Sequence, residues 1–142
     1  MQREQNDERL FEVINDMFNE KIPFNKVLGL EVASIGYQRV KVRFDMRDQL
    51  IGNYIRGALH GGVISSVIDV TGGLAAFMGI QEKISDRDPA AKLERFGRLG
   101  TIDLRVDYLR PGIGKSFVST GYTLRTGSRV AVARIELIND QD

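Results

Sequence analysis

HGGVISSVIDVTGGLAAF, His60–Phe77, is the stretch on which the fold turns. Val63, Val67, Val70 and Leu74 recur at helical spacing, and Ile64, Ile68 and Ala75 form a neighbouring ridge, so the run predicts a helix that is apolar on most sides. From Gly57 to Gln81 the sole formally charged residue is Asp69, although 27% of the chain is charged. Such a helix belongs inside the protein. Its length also suits a membrane span, but His60, Ser65, Ser66, Asp69, Thr71 and the repeated glycines argue against membrane insertion.

On either side of this helix the periodicity changes from helical to alternating. Val40, Val42 and Phe44 alternate with Arg39, Lys41 and Arg43, and Leu28–Gly36 leads into them, which predicts two strands with a turn near Gly36. A loop, Met46–Leu59, delivers the chain to His60. Beyond the helix, Ile102, Leu104, Val106 and Tyr108 alternate with Asp103, Arg105 and Asp107, followed by alternating runs over Phe117–Arg125 and Arg129–Ile138. Turn signals at Pro111, Gly112, Gly114 and Gly127 make these three runs an antiparallel meander. Between helix and meander, Gln81–Gly100 is a charged excursion with one short helix expected from Pro89 to Phe96. Its composition demands no ligand, so it reads as decoration of the surface rather than a lid. At the other end Leu10, Phe11, Ile14, Met17 and Phe18 paint one stripe on a helix between Glu4 and Glu20 that Pro23 ends. The expected organisation is an N-terminal amphipathic helix over residues 1–21, packed on one domain over residues 22–142.

The fold class is therefore α+β, a curved antiparallel sheet wrapped around one long buried central helix. A helix this apolar exceeds what one face of a short sheet covers, so a second copy of the chain is expected against it.

Composition narrows the chemistry. The 142 residues, 42% apolar, suit a single domain, and 20 Lys and Arg against 19 Asp and Glu provide no bulk charge to recruit nucleic acid or an anionic membrane. There is no cysteine and one histidine, which removes disulfides, thiolate nucleophiles and any metal site built from Cys or from two imidazoles of one chain. The N-terminal stretch Met1–Arg9 is polar and lacks a signal-peptide pattern, which with the absence of Cys leads us to expect a cytoplasmic protein. Gly114-Lys115-Ser116 imitates the end of a P-loop, but Leu109 stands where its first glycine is required; GxSxG and GxGxxG are absent.

Two features remain. Gly61, Gly62 and Val63 open the central helix, where first-turn amides are unpaired and carry the positive end of the helix dipole, and glycine lets a carbonyl oxygen approach them. Asp69 is a carboxylate in apolar surroundings, costly unless it is used or is bonded to hydroxyls such as Ser65, Ser66 or Thr71. The two lie eight residues apart, about 12 Å at 1.5 Å per residue, too far for Asp69 to act on a carbonyl held at Gly61 of its own chain. Two copies with antiparallel helices would bring the Asp69 of each beside the Gly61 of the other, giving a homodimer with two composite sites.

The segment His60–Phe77, followed by TIDLRVDYLRPG from Thr101 to Gly112 and preceded by PFNKVLGL from Pro23 to Leu30, resembles the hotdog-fold thioesterases of the PaaI type. The resemblance implies the hotdog fold, a homodimer or a dimer of dimers, and hydrolysis of acyl-CoA, with coenzyme A entering only as part of the substrate and no metal or other cofactor. By position it makes Asp69 the general base or nucleophile, Gly61 the amide that polarises the thioester carbonyl with His60 beside it, and Thr101 a hydroxyl that holds the water. Relatives carry Asn or Gln six residues before the histidine, where this chain has Tyr54, so Asn53 takes that role if the loop shifts by one residue. Gly62 adds a second helix-end amide for the substrate. Arg110, Lys115, Arg125 and Arg129 are the cations available for the phosphates of coenzyme A, and Gly127 and Ser128 border the pantetheine because a turn glycine permits close approach. An aliphatic helix and few nearby aromatics favour medium- to long-chain fatty acyl groups over aryl groups. The rivals are a hotdog protein that binds acyl-CoA without turnover and a hotdog hydratase or dehydratase using His60.

Overall fold

The computed structural model describes residues 1–84 and 88–141; residues 85–87 of the expected excursion and Asp142 lie outside the described residues. Helix α1 (Gln2–Asp16) runs into a π-helical turn, Met17–Lys21, and buries Leu10, Ile14 and Phe18 of the predicted stripe. Pro23 does not simply end this element. It opens a second helix, α2 (Pro23–Leu28), as the first residue, where a fixed φ is favourable and no amide hydrogen is missed, and Gly29 closes α2 in the left-handed region at φ 71°. Asn25, fully buried, donates from Nδ2 to the Phe18 carbonyl and ties α2 to the π turn.

Strands β1 (Glu31–Ser34) and β2 (Val40–Asp45) follow, with Val40, Val42 and Phe44 buried and Lys41, Arg43 and Asp45 exposed, as the alternation predicts. The loop before His60 is more ordered than expected: a 3-10 turn at Asp48–Leu50 leads into a small hairpin of β3 (Ile51–Asn53) and β4 (Ala58–Leu59). Strands of three and two residues carry too little alternation to announce themselves. Helix α3 (Gly61–Lys83) is the predicted central helix, and α4 (Pro89–Phe96) the predicted short one. Strands β5 (Ser116–Thr126) and β6 (Ala131–Asn139) complete an antiparallel sheet in the order β1-β2-β5-β6.

The sheet holds α3 by one face. Phe44 pairs with Phe117 across β2 and β5 and their rings stack at 5.1 Å, while Gly121 leaves room for Thr71 and Ala75 of α3. Val67, Thr71, Leu74, Ala75, Phe77 and Met78 are the buried side of the helix. By length and composition α3 is also long and apolar enough to cross a membrane; here that side is covered by the sheet.

The third predicted strand, Ile102–Tyr108, does not form. Residues 101–110 have no ladder partner among the described residues, and Ile102, Leu104 and Tyr108 remain 79%, 40% and 55% exposed. Alternation reports two unlike faces, not a partner. Within one chain the apolar face of this segment has little to cover it.

Candidate active site

The mouth of α3 is shaped by glycines at close quarters. Gly52 of β3 lies so near His60 that a Cβ there would come within 2.6 Å of the His60 Cα, and the His60 amide donates to the Leu50 carbonyl at 2.8 Å. His60 is thereby fixed as the N-cap of α3. Its Nδ1 accepts from the Gly62 amide at 2.8 Å, which places the imidazole proton on Nε2, and its carbonyl accepts from Val63 at 2.9 Å. A Cβ on Gly62 would lie 2.9 Å from that Nδ1, so residue 62 must be bare for the cap to form. The three first-turn donors expected from the sequence are thus reduced to one: Gly62 and Val63 are taken, and of the three the Gly61 amide is the one without a partner among the described residues. Gly62 is a structural donor rather than a second free amide.

Asp69 lies two turns further along. Thr101 donates its hydroxyl to Asp69 Oδ1 at 2.6 Å, across 32 residues of chain. Ser65 and Ser66 donate to the Gly62 carbonyl and Thr71 to the Val67 carbonyl, so none of the nearby helix hydroxyls serves Asp69. No cation pairs with it among the described residues, and it is half-buried rather than sealed in the core. Sequence reasoning missed Tyr108, whose hydroxyl donates to the Gly61 carbonyl at 3.0 Å and whose ring stands over Gly61. The available signal was its place on the apolar side of the alternating run. Segment 101–110 therefore lies along the first half of α3, from Asp69 back to Gly61.

The remaining predicted residues fall elsewhere. Asn53 is the last residue of β3, where its Oδ1 accepts from the Arg56 amide of the β3–β4 turn at 3.3 Å. Gly127, Ser128 and Arg129 form the β5–β6 turn, beside Arg125 and a small cavity of about 250 Å³. This turn lies near the far end of α3, where Gly79 abuts Thr123 and Thr126 and Lys83 donates to the Thr126 carbonyl at 2.5 Å. Arg110 follows Leu109 on the open face. One chain thus brings Asp69 and Thr101 together, and His60, Gly61 and Gly62, but not these two groups with each other or with the turn at 127–129.

An open cavity of about 1810 Å³ is walled by Asp69, Thr101, Phe96, Leu99 and Arg110, among others. Ligand pockets commonly hold about 300–1,000 Å³, so this face has room for a substrate and for something that covers it. No three His, Asp or Glu side chains group as a metal site among the described residues.

Comparison with known proteins identifies the family. Residues 56–142 match the family model of the thioesterase superfamily. The chain is 39% identical over 134 residues to the medium/long-chain acyl-CoA thioesterase YigI of Escherichia coli, covering 94% of this chain and 86% of that one. A solved structure from Syntrophus aciditrophicus, described as a candidate thioesterase, superposes with a TM-score of 0.87 at 59% identity, over 97% of this chain and 91% of that chain. A Shewanella oneidensis protein related to the thioesterase superfamily superposes at 0.89 with 42% identity, over 94% and 87%. The fold is the hotdog fold, and the chain belongs to the thioesterase superfamily.

Proposed function

We propose that the protein hydrolyses medium- to long-chain fatty acyl-CoA to the free acid and coenzyme A, in composite sites shared by two copies of the chain. The Gly61 amide of one copy donates to the thioester carbonyl oxygen, aided by the dipole of α3. Asp69 of the other takes a proton from a water that Thr101 helps to hold, and the water oxygen attacks the carbonyl carbon. The tetrahedral oxyanion collapses, the carbon–sulfur bond breaks, and the thiolate leaves and regains the proton from Asp69. Water and thioester balance acid and thiol with no further reactant.

The Thr101–Asp69 hydrogen bond carries this reading. A carboxylate and a hydroxyl converge where the helix hydroxyls have turned elsewhere, on the open face rather than in the core. The name of the Escherichia coli relative supports the acyl-CoA substrate and its chain length. A second copy is supported by the separation of Asp69 and Gly61 and by the exposed apolar side of residues 102–108. Arg125 and Arg129, with the turn at Gly127 and Ser128, are our candidates for meeting the phosphates and pantetheine, and the reaction is proposed to run in the cytoplasm without a metal or redox cofactor.

The test is thiol release from an acyl-CoA chain-length series by purified protein, beside Asp69→Asn and Asp69→Ala. Turnover by the wild type and its loss in both variants is expected; equal release by all three would overturn the assignment.

A further inference from the structure

The excursion returns to α3: Phe96 sits edge-on against Phe77, Thr101 reaches Asp69, and segment 101–110 continues toward the mouth of the helix, where Tyr108 meets Gly61. Tyr108 is 55% exposed and belongs to a segment with no ladder partner among the described residues, so burial does little to hold its ring in place. Its hydroxyl donates to the Gly61 carbonyl at 3.0 Å, and its Cε1 and Cζ stand 3.4 and 3.7 Å from where a Gly61 Cβ would be. That carbonyl already belongs to the backbone ladder of α3, so the helix itself does not require this second donor.

The peptide group that carries the acceptor gives the bond a purpose. The Gly61 carbonyl and the Gly62 amide are two ends of one planar, conjugated unit, and a hydrogen bond to the oxygen draws electron density from the nitrogen and makes its N–H a stronger donor. The Gly62 amide donates to His60 Nδ1 at 2.8 Å. Tyr108, one peptide group and His60 thus form a continuous chain of hydrogen bonds. Its far end keeps Nδ1 unprotonated and the imidazole proton on Nε2. Its near end pins a mouth where residues 61 and 62 have no Cβ to restrain the backbone. Ser65 and Ser66 donate to the next carbonyl, that of Gly62, and so do not stand in for Tyr108.

We infer that Tyr108 is a positioning residue: through the Gly61–Gly62 peptide it fixes the direction of the Gly61 amide and the tautomer of His60, acting through these groups and not on the substrate. The inference rests on the thioesterase reading above. In the proposed dimer Gly61 and Asp69 of one chain serve different sites, so segment 101–108 supplies Thr101 to one site and Tyr108 to the other. A donor held in place beforehand needs no reorganisation as charge develops on the thioester oxygen, so its loss is felt in turnover and not in substrate affinity.

The chain has one histidine, so the nitrogen signals of its imidazole need no assignment. The experiment records them by nitrogen-15 NMR at about pH 8.5, above the ordinary imidazole range, in wild type and Tyr108→Phe, beside thermal melts and steady-state thiol release from lauroyl-CoA. Phenylalanine keeps the ring and removes the hydroxyl. In the wild type Nδ1 is expected to be an unprotonated acceptor, and in the variant its resonance moves toward that of a free imidazole. The variant's kcat falls about tenfold while KM stays within about twofold. A proton on Nδ1 in the wild type, or an Nδ1 signal that the variant leaves unmoved, overturns the inference. So does a raised KM with unchanged kcat, which would put Tyr108 on the substrate, and so does a lowered melting temperature with unchanged kcat, which would make the bond a clasp alone. A wild type inactive on every acyl-CoA overturns the thioesterase reading, and the nitrogen signals judge the chain of hydrogen bonds in either case. If Tyr108→Phe does not fold, Tyr108→Leu is read in the same way.

Discussion

Thr101 Oγ1 stands 2.6 Å from Asp69 Oδ1, joining the end of the excursion to the middle of the central helix. In the proposed mechanism a hydroxyl there orients the carboxylate and offers a second partner to water, a role serine can fill and valine cannot. Thr101→Val is expected to lower kcat about 100-fold and Asp69→Asn about 1,000-fold, within the range for a positioned acid–base group. Thr101→Ser keeps most activity. Steady-state thiol release with lauroyl-CoA measures all three.

Composite sites make a sharper demand. Asp69→Ala and Gly61→Val variants, each inactive alone, are expected to regain activity when refolded together or co-expressed with different tags. In a mixed dimer one site carries both lesions and the other none, so the purified heterodimer approaches about half the wild-type rate. No recovery from a verified heterodimer would place Asp69 and Gly61 of one chain in one site.

His60 caps α3 through Nδ1, and asparagine can cap a helix in the same way. His60→Ala is expected to cost about 1 kcal/mol of stability, whereas His60→Asn retains most of the melting temperature and most of kcat. A stable but inactive His60→Asn would show that the imidazole meets the substrate, which is also what the hydratase alternative requires.

The arginines of the β5–β6 turn separate substrate from handle. Arg125→Ala and Arg129→Ala are expected to raise KM for acyl-CoA several-fold at low salt, with the difference shrinking as ionic strength rises. Acyl-pantetheine lacks the nucleotide phosphates, so its KM is the same for wild type and variants. An equal rise with both substrates would place these side chains at the acyl or pantetheine portion instead.

Tyr37 donates its hydroxyl to Asp7 and packs edge-on to Phe11, clasping α1 to the turn after β1. Burial first, then the Asp7 carboxylate, pushes the phenol well above its ordinary value. The fold therefore favours the neutral phenol, and the associated stability is complete below about pH 10, the value in an unfolded chain, and declines as pH rises above it. Tyr37→Phe is expected to cost about 1–2 kcal/mol at pH 8. Thermal melts at pH 8 and pH 11 should show the wild-type advantage narrowing at the higher pH.

The central helix was legible because 23 residues with one buried-side period leave few alternatives, and β2, β5 and β6 because their alternation coincides with one-sided burial. Residues 102–108 carry the same pattern without a ladder, since the pattern records what a face prefers and not whether a strand is adjacent. Asp69 was legible from its isolation among apolar residues; its partner was not, because no local rule connects positions 69 and 101. Reduction of three helix-end amides to one was also hidden. It depends on the imidazole folding back over Gly62, a contact set by the approach of Gly52 to His60.

The return of the excursion to α3 has a kinetic consequence. Thr101, the hydroxyl that touches Asp69, is five residues from Phe96, whose ring packs edge-on to Phe77, so one short length of backbone links the packing of α4 to the partner of the carboxylate. A substitution that loosens Phe96 from Phe77 is expected to lower kcat for long and short acyl chains alike, because a small displacement there is carried to the hydroxyl beside Asp69.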